Sequence, residues 1–242
     1  MTAVGASGGS VQIARPRLTA VNGFLLAGAL YLGAAGLQLV AAIERWAVLG
    51  AASTRGGIPV EDHLFDYSYP AAPWEGLGST AQFFGAGVLL LALGFLAMAR
   101  AVPPSNSAFQ RVLVIMVAVP LAGSGAHALI SGVMGAPTIL QSSPLLLLLS
   151  LVECVGLISL SVWWLKRAWP ASVACVFLLG NTIPGYLLAS FQIAPAIVGY
   201  QSHDTTPWTE AVVAATAAAA GLVLLIAAGA ARAARTARTA EA

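Results

Sequence analysis

The sequence predicts an all-α, polytopic membrane protein: a six-transmembrane-helix bundle with a long extracytoplasmic loop after helix 1. Three observations predict it. Of 242 residues, 59% are hydrophobic and only 8% are charged, against about 25% charged in ordinary soluble domains, which leaves too little polar surface to clothe a soluble body. The apolar residues gather into six stretches, each long enough to cross a hydrocarbon layer of ~30 Å. The basic residues cluster at alternate ends of those stretches, as membrane orientation requires.

The first stretch, 18–43, is far longer than the apolar region of a cleaved signal peptide and is expected to be a retained helix. Residues 1–17, rich in Gly and Ser without apolar periodicity, are expected to form a disordered cytoplasmic tail. The second and third helices are expected over 78–99 and 111–134, with Pro120 able to kink the latter. The fourth is expected over 144–165 and the fifth over 170–193, where Pro184 interrupts regular hydrogen bonding. The sixth is expected over 209–230, closing a transmembrane domain of residues 18–230 and leaving a cytoplasmic Ala/Arg-rich tail at 231–242 that could lengthen the helix by a turn or two.

Nine of the eleven basic residues fall on one face of this topology, with Glu241 the only acid among them. They are Arg15, Arg17, Arg100, Arg111, Lys166, Arg167, Arg232, Arg235 and Arg238. Arg45 and Arg55 share the other face with Glu44, Glu61, Asp62, Asp66, Glu75, Asp204 and Glu210. The positive-inside rule then places both termini in the cytoplasm and the 44–77 loop outside a cell (inner) membrane. The same scatter of basic residues along helix ends, rather than in a patch, argues against a nucleic-acid partner. Expected partners are the lipid bilayer, other membrane proteins or further copies of the chain, and a small ligand.

The external loop crowds acids, a histidine, aromatic residues and prolines into "EDHLFDYSYPAAPWE", Glu61 to Glu75. Pro59, Pro70 and Pro73 argue against a continuous helix, and Tyr67, Tyr69 and Trp74 suit a membrane interface. In one reading the loop is a cap on the helix ends. In another, Glu61, Asp62, His63 and Asp66 supply oxygen and nitrogen ligands for a divalent cation, or His63 acts as a base, with His203 and its neighbour Asp204 joining from a second loop on the same face. The run lacks the spacing of an EF-hand or of a helical zinc motif.

Glu153 is the one ionisable acid deep within an apolar stretch, and an unpaired carboxylate in hydrocarbon costs several kcal/mol, so it should face other helices. Counting rise along the helices puts Glu153 about 14 Å and His127 about 10 Å below the outer surface, a match that makes them a candidate proton or ligand pair. Gly123, His127 and Ser131 recur every four residues on one face of the third helix. Asn181, Gln192, Gln38 and Gln82 add polar groups in the outer half, which predicts an outward-facing cavity; ordinary interhelical packing explains the same residues without one.

Cys154 and Cys175 lie in apolar stretches with no metal or redox spacing, Ser124 near His127 lacks an oxyanion arrangement, and nucleotide, haem and dinucleotide motifs are missing. The leading functional expectation is a membrane component acting in small-ligand handling, transport or as a subunit of a complex. The alternative is a membrane-embedded enzyme with an extracytoplasmic acidic and histidine site, metal-dependent in one version. No cofactor is indicated by any motif.

Overall fold

The computed structural model describes residues 18–49, 58–103 and 107–240 and is entirely helical apart from its loops. The expected 1–17 tail and the Arg15, Arg17 and Arg55 positions lie outside the described residues. The bundle is built from α1 (Leu18–Ile43), α2 (Thr80–Ala101), α3 (Ala108–Met134), α4 (Ser143–Trp164) and α8 (Thr209–Ala240), with α5 (Trp169–Leu178), α6 (Ile183–Leu188) and α7 (Ala194–Val198) between the last two. Among the described residues, five helices are long and apolar enough to cross a membrane, and a sixth passage exists if the segments Trp169–Asn181 and Ile183–Val198, bent by 69°, count as one span. Its outer surface fits that environment: Leu93, Ile115, Val162 and Ile226, one from each of four helices, are all more than half exposed.

Without a hydrophobic drive between helices in lipid, close packing must come from small side chains. The α2–α3 crossing shows this at Gly85, where a Cβ would sit 2.3 Å from the backbone nitrogen of Leu129, and at Gly125, where one would sit 2.9 Å from the backbone nitrogen of Leu89. Gly123, on the face it shares with His127 and Ser131, has nothing within 4 Å. The contact face is offset by two residues, about 200° around the helix. Tyr31, Leu91, Phe95, Leu160 and Trp164 fill the core between these helices.

The fifth span differs from the continuous helix expected over 170–193. A tight turn at Leu179–Asn181 ends α5, Thr182 is extended, and a fresh helix starts with Pro184 in its first turn, where its missing N–H costs nothing. The bend thus precedes the proline instead of following from it. A π turn over Ala189–Ile193 then shifts the helical register, turning Gln192 outward to an exposed position. α1 likewise continues as a π turn over Glu44–Leu49, and α8 runs to Ala240, about three turns past the end expected from hydropathy. Hydropathy marks where a helix leaves an apolar medium, whereas Ala and Arg keep the helix going beyond it.

Three connections meet at one end of the bundle: residues 58–79, 135–142 and 199–208. The first forms a lid over the other two, held by Ala72 N–H to Gln141 Oε1 at 2.9 Å, by the Tyr69 hydroxyl to Leu140 O, and by Thr205 N–H to Glu61 O at 3.2 Å. At the opposite end Arg232 Nη2 reaches Asn22 Oδ1 at 3.0 Å, tying the end of α8 to the start of α1.

Candidate functional site

The lid is not an interfacial skirt. Tyr67, expected at a lipid boundary, is 1% exposed and packs edge-on against Phe84, beside Ala41, Ala81 and Trp74. The reason is Arg45, wholly buried on the π turn that extends α1, which draws the lid inward. Its Nη1 donates to Asp66 Oδ1 and to Glu210 Oε1, both at 2.8 Å, while Nη2 donates to Val60 O at 3.0 Å. Trp46 Nε1 donates to the second Glu210 oxygen at 2.8 Å, the Thr205 hydroxyl donates to Asp66 at 3.1 Å, and the Tyr67 ring lies 5.8 Å from the guanidinium. One cation thus holds two carboxylates, with hydrogen-bond donors offsetting the surplus negative charge. Burial pushes the Asp66 carboxyl upward, and the adjacent Arg45 pulls against that shift.

The other acids of the lid divide between structure and surface. Glu61 accepts the Tyr200 hydroxyl at 2.6 Å and the Ser202 hydroxyl at 2.7 Å, binding the lid to the 199–208 loop and driving the Tyr200 pKa up to about 12. Asp62 caps the short turn His63–Phe65 by accepting Leu64 N–H at 2.8 Å. Asp204 Oδ2 accepts the His63 backbone N–H at 2.7 Å and faces its Nδ1 at 3.0 Å. The ligand atoms of Asp62, His63 and Asp204 all lie within 4.8 Å of one another, so this Asp–His–Asp cluster could hold a metal ion. It sits at the surface, with His63 65% exposed, and the hydrogen bond to Asp204 raises the His63 pKa. Of the expected ligands, Asp62, His63 and Asp204 come together, whereas Glu61 and Asp66 are engaged elsewhere and His203 is exposed outside the cluster.

Beneath the lid lies a partly open cavity of ≈ 270 Å³. Asp66, Ser68 and Tyr69 roof it, and Glu210 lines it from the start of α8. Ser150 and Glu153 come from α4, and Asn181, Thr182 and Tyr186 from the broken span. The break in that span is what brings them in, because a continuous helix would have no extended residue at Thr182 to place beside α4. Ser150 stabilises the break by accepting the Ile183 N–H at 2.6 Å. Glu153 is 5% exposed, and its Oε1 has no hydrogen-bond partner.

The pairing of His127 with Glu153 inferred from matching depth is not formed. Both His127 ring nitrogens are occupied elsewhere, Nδ1 by the Thr138 hydroxyl at 2.7 Å and Nε2 by Pro70 O at 2.9 Å, and its ring packs tilted against Tyr69 with centroids 4.3 Å apart. Rise along a helix gives depth but not azimuth, and His127 turns toward the lid while Glu153 turns toward the cavity. Of the remaining polar candidates, Gln38 is buried and donates to Asn181 at 3.3 Å, linking α1 to the break. Gln82 donates to Gly132 O at 2.7 Å, joining α2 to α3 away from the cavity lining. Arg45 and Glu210, read from the sequence only as charges on the external face, are the functional residues it did not single out; an arginine at the end of the first apolar stretch, on a face otherwise rich in acids, was the available signal.

Set against known proteins, the chain matches no family model, no curated protein and no solved structure, so its chemistry rests on its own residues.

Proposed function

We propose that the lid is the extracytoplasmic face of a membrane-embedded protein whose activity depends on a divalent cation held by Asp62, His63 and Asp204. The observation that carries this reading is the convergence of two carboxylates and an imidazole within 4.8 Å across two loops. Such a mixed oxygen and nitrogen set suits Mn²⁺ or Zn²⁺, with water completing the exposed coordination positions. A bound ion supplies a Lewis acid or an activated water at the surface. The side chains then have defined tasks: Asp204, held by the His63 backbone N–H, would face the ion alongside His63 Nδ1, and Asp62 would join the ligand set while still capping its turn. The charge distribution supports the orientation, since Arg100, Arg111, Lys166, Arg167 and Arg232 lie at the bundle end away from the acidic lid.

The test is calorimetric titration of metal-stripped, purified full chain with Mn²⁺ and Zn²⁺. Saturable binding of one ion per chain, weakened at least about tenfold by His63→Ala and by Asp204→Asn, is expected. Binding unchanged in both variants, or no saturable binding, would overturn the reading.

A second reading, small-ligand handling within the membrane, is favoured by the cavity under the lid, whose polar lining draws on the lid, α4, the broken span and α8. The two readings are compatible, because the cluster and the cavity use different residues.

A further inference from the structure

A carboxyl in a membrane interior is ordinarily paired, and Asp66 and Glu210 illustrate this through Arg45. Glu153 is the exception. It lines the cavity, is nearly inaccessible, and leaves Oε1 without any donor. None of the lining residues is Lys, Arg or His, whereas three are acids, and the single Arg45 cation behind the roof balances only one of them. The site is therefore short of positive charge and of a hydrogen-bond donor at Glu153.

The walls narrow the class of group that could supply both. Few neutral wall oxygens are preset for an inorganic ion: Asn181 Oδ1 already accepts from Gln38 and Ser150 Oγ from the Ile183 N–H, while the Thr182 and Ser124 hydroxyls are oriented by donating to Leu179 O and Pro120 O and offer only one oxygen each. A hard metal ion wants six or more oxygens. The rest of the wall is apolar and aromatic, with Val88, Leu121 and Leu149 beside the rings of Tyr69, Phe84 and Tyr186. Apolar walls with one unpaired carboxyl and aromatic faces suit a cation that carries its own apolar body. The volume of ≈ 270 Å³ admits on the order of ten non-hydrogen atoms.

We infer that the cavity is a binding site for a small organic ammonium ion, whose N–H groups complete Glu153 and whose apolar body lies against Phe84, Leu121 and Leu149. This rests on the second reading above, that the cavity receives a ligand, and adds the ligand's charge and class. It is independent of the metal at the lid.

The experiment measures equilibrium binding of radiolabelled 2-phenylethylammonium to the full chain in lipid nanodiscs, with empty nanodiscs subtracted and 2-phenylethanol as the neutral comparison. Saturable binding of the ammonium probe is expected, weakened at least about tenfold by Glu153→Gln and more weakly by Glu153→Asp. Leu149→Trp, which fills the cavity and keeps the carboxyl, should abolish it. Thermal unfolding checks the variants, and Glu153→Gln should unfold no earlier than the parent because it removes an unpaired buried carboxyl. If Glu153→Gln proves unfolded, Leu149→Trp and Glu153→Asp carry the comparison. Three results would overturn the inference: no saturable binding, binding indifferent to Glu153, or displacement by Na⁺ or K⁺ as effective as by unlabelled amine. Binding of 2-phenylethanol that is lost in Leu149→Trp but unaffected by Glu153→Gln would keep a ligand cavity while removing its cationic ligand.

Discussion

Arg45 and Glu210 stand 165 positions apart in the chain and meet at 2.8 Å in the closed interior of the bundle. Their contact joins the turn that extends α1 to the first turn of α8, and the same guanidinium nitrogen holds Asp66 of the lid. Removing the cation leaves the buried Glu210 carboxylate facing the half-buried Asp66 carboxylate, whereas removing one carboxylate leaves an intact pair. Arg45→Met should therefore destabilise by about 3–5 kcal/mol, and Glu210→Gln by distinctly less. Thermal unfolding in detergent checks the order. Equal losses for the two variants would contradict the network's charge count.

The His63–Asp204 contact is expected to respond to pH in metal-stripped protein. The hydrogen bond from Asp204 raises the His63 pKa, so the folded chain holds that proton more tightly than the unfolded chain does. The contribution is full below the ordinary histidine value of ~6.5 and fades as pH rises through the raised value. Because His63 is mostly exposed, solvent screening keeps it small. Metal binding should show the opposite trend, since the ion displaces the Nδ1 proton. Measuring Mn²⁺ affinity and lid protection from proteolysis across that range separates the two; affinity that rises on acidification would contradict the ligand assignment.

The α2–α3 crossing allows little tolerance. A methyl group at Gly85 would meet the Leu129 backbone nitrogen at 2.3 Å, an atom that no rotamer change can move aside. Gly85→Ala should cost about 1–3 kcal/mol through separation of the two helices. Gly123→Ala, on the open side of α3, should be nearly neutral or slightly stabilising, because alanine is the better helix former. Comparable losses at both positions would show that the crossing is not where the structure has it.

Helix identity was legible in the sequence because apolar length and charge shortage are chain-wide signals. The lid's contacts were not, because they join positions such as Glu61 with Ser202 and Arg45 with Glu210 that no periodicity connects. Glu153 was recognisable as an anomaly from its residue type alone. Its partner was misjudged because rise along α3 and α4 fixes depth but not azimuth, and in the fifth span the break at Thr182 and the following π turn also reset the register that a face-by-face argument assumes. Asn181 still faces the cavity because it lies before that reset, whereas Gln192 lies within the π turn and points outward.

The orientation of the bundle gives the last prediction. Cysteine labelling from outside the cell, in a background where Cys154 and Cys175 are replaced by alanine, should modify a cysteine at exposed His203 and spare one at Arg238. Acids crowd the lid, arginines and the lysine crowd the far end, and moving the basic end across the membrane against its potential is unfavourable. α8 spans the distance between the two positions as one unbroken helix, so the two labels report opposite faces whatever the status of the bent fifth span. Labelling at Arg238 alone would invert the bundle, and with it place both the Asp–His–Asp cluster and the mouth of the lid in the cytoplasm.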